Sequence, residues 1–174
     1  MFSAQRAYAD LQQIAGPEPT PIGSAGCDAV RDHIAAALSA AGFSVEMHPG
    51  VGSRTFHSTT VAGRVHNVVA TWPGYDSTYW LPITALPSVA LARPTTRPQS
   101  RPCWRRQARS PAVSALRNDI VMIFADGEEA GLLGASSFVA EHPRGAKGGV
   151  VLNWEATGNA GPSVLFETSS GMRS

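Results

Sequence analysis

Two adjacent glutamates, Glu128 and Glu129, are the residues of this chain best placed to do chemistry. They follow the apolar run Ile120–Phe124, whose β-branched and aromatic side chains predict a buried strand. Gly127 would let the chain turn sharply, so the pair is expected at the strand's carboxyl end, where open α/β sheets bind ligands. Neighbouring carboxylates repel each other, and a bound cation or a shared proton would relieve that repulsion. The alternative is a solvated acidic pair opening a helix, where negative charge suits the helix dipole.

The residues around this pair form a longer motif, Asp-Gly-Glu-Glu-Ala-Gly-Leu-Leu-Gly-Ala, at positions 126–135. It resembles the signature of the two-zinc exopeptidases of the aminopeptidase Y and glutamate carboxypeptidase type. The resemblance implies that Glu128 is the general base and that Glu129 is a zinc ligand. It covers most of residues 2–77 and 116–170.

A third carboxylate follows the apolar run of residues 149–154. This stretch is similar to the family's next core strand, which ends in an acidic ligand, so the resemblance implies that Glu155 binds the second zinc. Without the resemblance, a surface glutamate on a loop is an equally good interpretation. Residues 21–34 are similar to the family's first long helix and the turn before it.

The activity implied by this resemblance is that of a zinc metallopeptidase. An intact site would hold two zinc ions, and the general base would take a proton from a zinc-bound water during hydrolysis of a terminal peptide bond. The expected partner is therefore a peptide substrate, and an aminopeptidase is the expected type. Two alternatives stay open: a non-catalytic binding domain of the same fold, and a one-zinc acyltransferase resembling glutaminyl cyclase.

Composition sets modest bounds on the chain. Its 174 residues suggest one domain, short for this family's catalytic unit, so residues 1–174 are interpreted as a single incomplete peptidase domain. The net charge of +1 indicates neither nucleic-acid nor membrane-surface binding. Two cysteines give no disulfide framework, and Cys27 is expected to be a small buried residue. No signal peptide or membrane span is predicted in this chain. Compartment and oligomeric state stay unknown, although relatives are often secreted, vacuolar or membrane-anchored.

The elements that would position these carboxylates alternate between helix and strand. Helices are predicted from Ser3 and from Ser24, and a short one through Phe138 and Val139. Strands are predicted at residues 43–47, 65–72, 120–124, 150–153 and 163–166. The alternation predicts an α/β fold: a truncated three-layer sandwich whose mostly parallel central sheet is flanked by helices. Glu128 and Glu155 should then lie near the same edge of the sheet.

The segment 79–115 does not fit this pattern. It holds six of the 13 prolines and six of the 14 basic residues, with no sustained apolar period, so it is interpreted as an irregular Arg/Pro-rich segment. A patch for an anionic partner is the functional alternative, which nothing else in the chain supports.

A third interpretation is that this segment is a frame-shifted copy of family sequence. Codons read one step out permit a histidine across Pro82 and Ile83 and two aspartates across residues 94–96, at the spacing of family ligands. The junction of Thr84 and Ala85, however, cannot encode the aspartate expected shortly after that histidine.

The ligand set implied by the resemblance is incomplete in this chain. Residues 73–118 contain no histidine, and the chain stops at Ser174 before the family's final histidine ligand. None of the five histidines is expected to replace them: His33, His48, His57, His66 and His142. Since catalytic zinc normally has imidazole among its ligands, we expect this chain to be impaired and to bind zinc weakly.

Overall fold

The computed structural model describes residues 20–85 and 116–154, with the backbone only over 76–85, 147–149 and 153–154. Near the amino terminus, helical conformation is described at single positions of the predicted first helix, Gln5, Ala9, Gln12 and Ile14. The helices are α1 (Ala25–Ala40) and α2 (Leu133–Glu141), with a short 3₁₀ turn at Gly145–Lys147. The strands are β1 (Ser44–Phe56), β2 (Thr59–Trp72), β3 (Asp76–Ala85), β4 (Asn118–Ala125) and β5 (Gly148–Trp154). The predicted strand at 163–166 lies outside these residues.

Helix α1 begins where the sequence predicts, directly after Ser24. The Ser24 side chain caps it by accepting a hydrogen bond from the Cys27 amide. Gly42 follows the helix with φ of +95°, a conformation that glycine adopts without strain. The side chains that repeat every fourth residue, Val30, Ile34 and Leu38, are buried. The helix therefore presents a continuous apolar face to the sheet.

The five strands form one sheet in the order β1-β2-β4-β3-β5. Strand β1 pairs antiparallel with β2 and β2 antiparallel with β4, whereas β3 lies parallel to both β4 and β5. The α/β class is thus confirmed, and the predicted strands at 65–70, 120–124 and 150–153 do share a sheet. The described strands form a mixed sheet and not the predicted mostly parallel one, because two of their four pairings are antiparallel.

The antiparallel half arises from a long hairpin that the sequence pattern conceals. Strand β1 extends to Phe56, well past the predicted strand at 43–47, and only His57 and Ser58 connect it to β2. The glycines serve close packing, since a Cβ on Gly52 would lie 2.0 Å from the Leu133 carbonyl oxygen of α2. A two-residue connection permits only antiparallel pairing, which explains the mixed sheet.

The predicted irregular segment begins later than expected. Residues 79–85 belong to β3, which pairs on both sides, so the boundary at Tyr79 is wrong. Residues 86–115, which include the frame-shift positions 94–96, fall outside the described ranges.

Strand β4 is buried on both faces by helices on opposite sides of the sheet. One cluster joins Ile34 and Leu38 of α1 to Met122 and Phe124. The other joins Val121 and Ile123 to Phe138 of α2. The described strands end in register, because Thr84 of β3 pairs with both Phe124 of β4 and Trp154 of β5. The carboxyl ends of β4 and β5 therefore lie at one edge. No helix in the described part is long and apolar enough to cross a membrane.

Candidate active site

The two glutamates lie on the loop that connects β4 to α2, at the carboxyl end of β4. Gly127 adopts φ of +64°, so the predicted sharp turn is present. The Glu128 carbonyl accepts hydrogen bonds from the amides of Gly131 (3.0 Å) and Leu132 (2.7 Å), which folds the loop back on itself. Helix α2 begins only at Leu133, so the pair precedes the helix and is not part of its first turn.

Asp126, which opens the motif, is fully buried and faces away from this loop. Its carboxylate accepts a hydrogen bond from the His66 amide (3.1 Å) and lies 3.7 Å from the Arg31 guanidinium. The Cys27 thiol lies 3.8 Å from its other oxygen. Burial, followed by the charge of Asp126, raises the pKa of the Cys27 thiol to about 11. Cys27 is buried, as predicted, and unbridged.

Asn67 of β2 joins the two ends of the loop. Its side-chain oxygen accepts from the Asp126 amide (3.0 Å), and its side-chain nitrogen donates to the Gly134 carbonyl (2.9 Å). The Gly134 amide in turn donates to the Asp126 carbonyl (2.8 Å). A fully buried Asn within an apolar strand is thereby satisfied, as a buried amide requires.

The glutamates open onto a groove of about 630 Å³ between the loop and the β1–β2 hairpin. Glu128 is half-buried and Glu129 is exposed. Arg54 of β1 lines the same groove, with its guanidinium carbon 4.9 Å from the centre of the Phe56 ring. The groove that the two carboxylates line is thus also lined by a cationic side chain that is distant in sequence. The apolar lining of the groove includes Phe56, Val61 and Leu132.

The residues described here do not make a metal centre by themselves. Within 20–85 and 116–154, no three His, Cys, Asp or Glu side chains lie close enough together to hold an ion. Glu128 and Glu129 line the same groove, whereas the Asp126 carboxylate pairs with Arg31 and accepts a hydrogen bond from the His66 amide. Glu155 lies beyond the described residues, and its predicted role as a ligand stays a prediction. Zinc would require further donors from outside these ranges.

Two histidines lie together on the α2 side of the sheet. The rings of His48 and His142 are 5.1 Å apart, and His142 Nε2 lies 2.8 Å from the Glu46 carboxylate. The Arg144 amide donates to His142 Nδ1, so neutral His142 carries its proton on Nε2 and donates it to Glu46. Burial, and then the neighbouring His142, lowers the pKa of His48.

Comparisons with known proteins give a family match for part of the chain and similar folds among solved structures. Residues 105–174 match the model of peptidase family M28. A solved glutaminyl cyclase from Porphyromonas gingivalis is similar over 90% of this chain, with 18% identity and a TM-score of 0.67. A Zn-dependent exopeptidase from Parabacteroides distasonis is similar over 82%, with 18% identity and a TM-score of 0.56. The chain covers 62% and 56% of these two proteins, respectively. No curated protein matches the chain.

Proposed function

We propose that this chain is part of a zinc-dependent exopeptidase of the aminopeptidase type, because residues 105–174 match the model of peptidase family M28. The whole of residues 1–174 would then form a single incomplete domain of a three-layer sandwich. The observation that carries the proposal is the position of Glu128 and Glu129 on an open groove at the carboxyl end of β4.

Glu128 is the proposed general base. It lines the groove, where its carboxylate can take a proton from an attacking water and pass it to the leaving amine of a terminal peptide bond. Glu129 and Glu155 are the proposed zinc ligands, and both follow strands that end at the same edge of the sheet. The remaining donors must come from outside the described ranges.

Backbone strain at the groove supports a functional loop. Leu132 adopts φ of +59°, which is uncommon for a bulky residue, and its side chain is 39% exposed. Such strained residues concentrate at binding and catalytic sites. The exposed ring of Phe56 faces the same space, so a peptide side chain would find apolar surface beside the two carboxylates.

Zinc binding and turnover test the proposal together. In a repaired chain, frame-corrected family sequence would replace residues 79–115 and family sequence would continue beyond Ser174. The repaired chain should hydrolyse amino-acid amides. In that chain, Glu128→Gln should lower turnover by about 10²–10⁴-fold while zinc stays bound, as expected for the loss of a general base. Glu129→Ala should weaken zinc binding, whereas Glu141→Gln, which removes a carboxylate outside the groove, should change neither. Full turnover in Glu128→Gln would refute the assignment.

A one-zinc acyltransferase resembling glutaminyl cyclase is the second proposal, because solved glutaminyl cyclases are among the similar structures. The bound zinc, measured by mass spectrometry on the repaired protein, separates the two. Two ions per chain favour the peptidase, one favours the cyclase-like enzyme, and none favours a non-catalytic binding domain.

A further inference from the structure

We propose that Asp126, Arg31 and Asn67 are positioning residues that hold the Glu128–Glu129 loop in place, and that Asp126 itself neither binds metal nor contacts substrate. The inference rests on the proposed function of the two glutamates. It assigns a role to the one acidic residue of the motif that the chemistry above leaves unused.

The Asp126 carboxylate is enclosed on all sides by the protein. Its side chain is 0% exposed and is absent from the lining of the groove. One of its oxygens accepts from the His66 amide and faces the Arg31 guanidinium, and the other lies near the Cys27 thiol. A buried carboxylate is stable only when paired in this way, so its partners hold it away from the groove.

Arg31 connects this carboxylate to two other elements. Its Nε donates to the His66 carbonyl of β2 (3.0 Å), and its Nη1 donates to Asp28 of α1 (2.7 Å). The Arg31 side chain is only 8% exposed, a degree of burial that arginine reaches when it is paired. One guanidinium therefore joins α1, β2 and the first residue of the loop.

Asn67 fixes the loop at both ends. Its side-chain oxygen accepts a hydrogen bond from the Asp126 backbone amide, and its side-chain nitrogen donates one to the Gly134 carbonyl. The Gly134 backbone amide also donates a hydrogen bond to the Asp126 carbonyl. The intervening residues 127–133 thus start and finish at fixed points. The positions of Glu128 and Glu129 follow from this closure, because their loop is short and its ends cannot separate.

Local dynamics distinguish a positioning role from general stabilisation. Amide exchange and backbone order parameters would be measured by NMR on the chain and on Asn67→Ala and Asp126→Asn. The control is Ile34→Val, which trims the core beneath α1 and leaves the loop contacts intact. Exchange would be followed in increasing, sub-denaturing urea, because local opening is insensitive to denaturant and global unfolding is not.

We expect the amides of Asp126 and Gly134 to exchange at least about tenfold faster in both loop variants, independently of urea. Order parameters at Glu128 and Glu129 should fall from about 0.85 toward 0.6 or below. If Asn67→Ala does not fold, Asp126→Asn alone decides, since it preserves the shape of the side chain. Loop exchange that merely follows global stability, as in Ile34→Val, would overturn the inference. Neither readout uses turnover, so a repaired chain that fails to hydrolyse amino-acid amides would refute the proposed function and leave this result standing.

Discussion

Gly134→Ala should destabilise the protein although alanine is the better helix former. Gly134 is the second residue of α2, and a Cβ there would lie 2.3 Å from Asn67 Oδ1 and 2.4 Å from the Asp126 carbonyl oxygen. Real Cβ atoms essentially never approach so closely. Because one of these atoms belongs to the backbone at the end of β4, either α2 must shift or Asn67 must leave its position.

The magnitude follows from the hydrogen bonds that such a shift breaks. Three are at risk: Asp126 amide to Asn67, Asn67 to the Gly134 carbonyl, and Gly134 amide to the Asp126 carbonyl. At about 1 kcal/mol each, their loss costs about 3 kcal/mol. The helix preference of alanine over glycine returns about 1 kcal/mol. The net expectation is a loss of about 2 kcal/mol in the free energy of unfolding.

Urea denaturation, followed by circular dichroism, measures this difference. Gly26→Ala is the matched control, because Gly26 also lies near the start of a helix and its Cβ would meet only the Thr20 side chain, nearest at 3.1 Å, and the Ser24 hydroxyl. The control should change stability by no more than about 1 kcal/mol in either direction. If Gly134→Ala were as stable as Gly26→Ala, the three hydrogen bonds among Asn67, Asp126 and Gly134 would not stabilise the protein as their geometry indicates.

Three further outcomes follow from the site and its surroundings. Because the pKa of Cys27 rises from 9.0 to about 11 on folding, the folded state binds more protons between those values. Stability should therefore fall as pH rises through that range in urea titrations, and Cys27→Ala should flatten the fall. The pKa of His48 lies below its ordinary 6.5, so its contribution is complete above about pH 6.5 and is lost as pH falls through the lowered pKa. His48→Gln should reduce the acid sensitivity of unfolding, and unchanged sensitivity would contradict this. Finally, the unrepaired chain should show negligible hydrolysis of amino-acid amides with added zinc, since residues 73–118 contain no histidine; turnover at ordinary enzyme rates, abolished by a chelator, would contradict it.

Local signals predicted the elements that carry the glutamates. The cap at Ser24, the four-residue repeat of α1 and the apolar run of β4 each depend on neighbouring residues, so their pattern is visible in the sequence. The turn at Gly127 is visible for the same reason. The hairpin was missed because Gly50 and Gly52 resemble turn residues, whereas their role is to let β1 approach α2 closely.

The partners of the loop could not be predicted, because they are set by tertiary packing. Arg54 reaches the groove only through the register of the hairpin, in which it pairs with Val61. Asn67 did carry a signal: a polar amide inside the apolar run 65–72 must be hydrogen-bonded if the strand is buried. That signal predicts a satisfied amide without naming its partners, which lie 59 and 67 positions away.

The outer strand β5 bears on how the isolated chain behaves at high concentration. Among the described strands it pairs only with β3, and three successive apolar side chains, Val150, Val151 and Leu152, are between 42% and 51% exposed. An apolar edge strand whose outer backbone groups pair with no described strand is a template for strand addition by another molecule. Self-association through this edge would therefore compete with refolding, and a charged substitution at Val151 would be the simplest way to keep the chain monomeric.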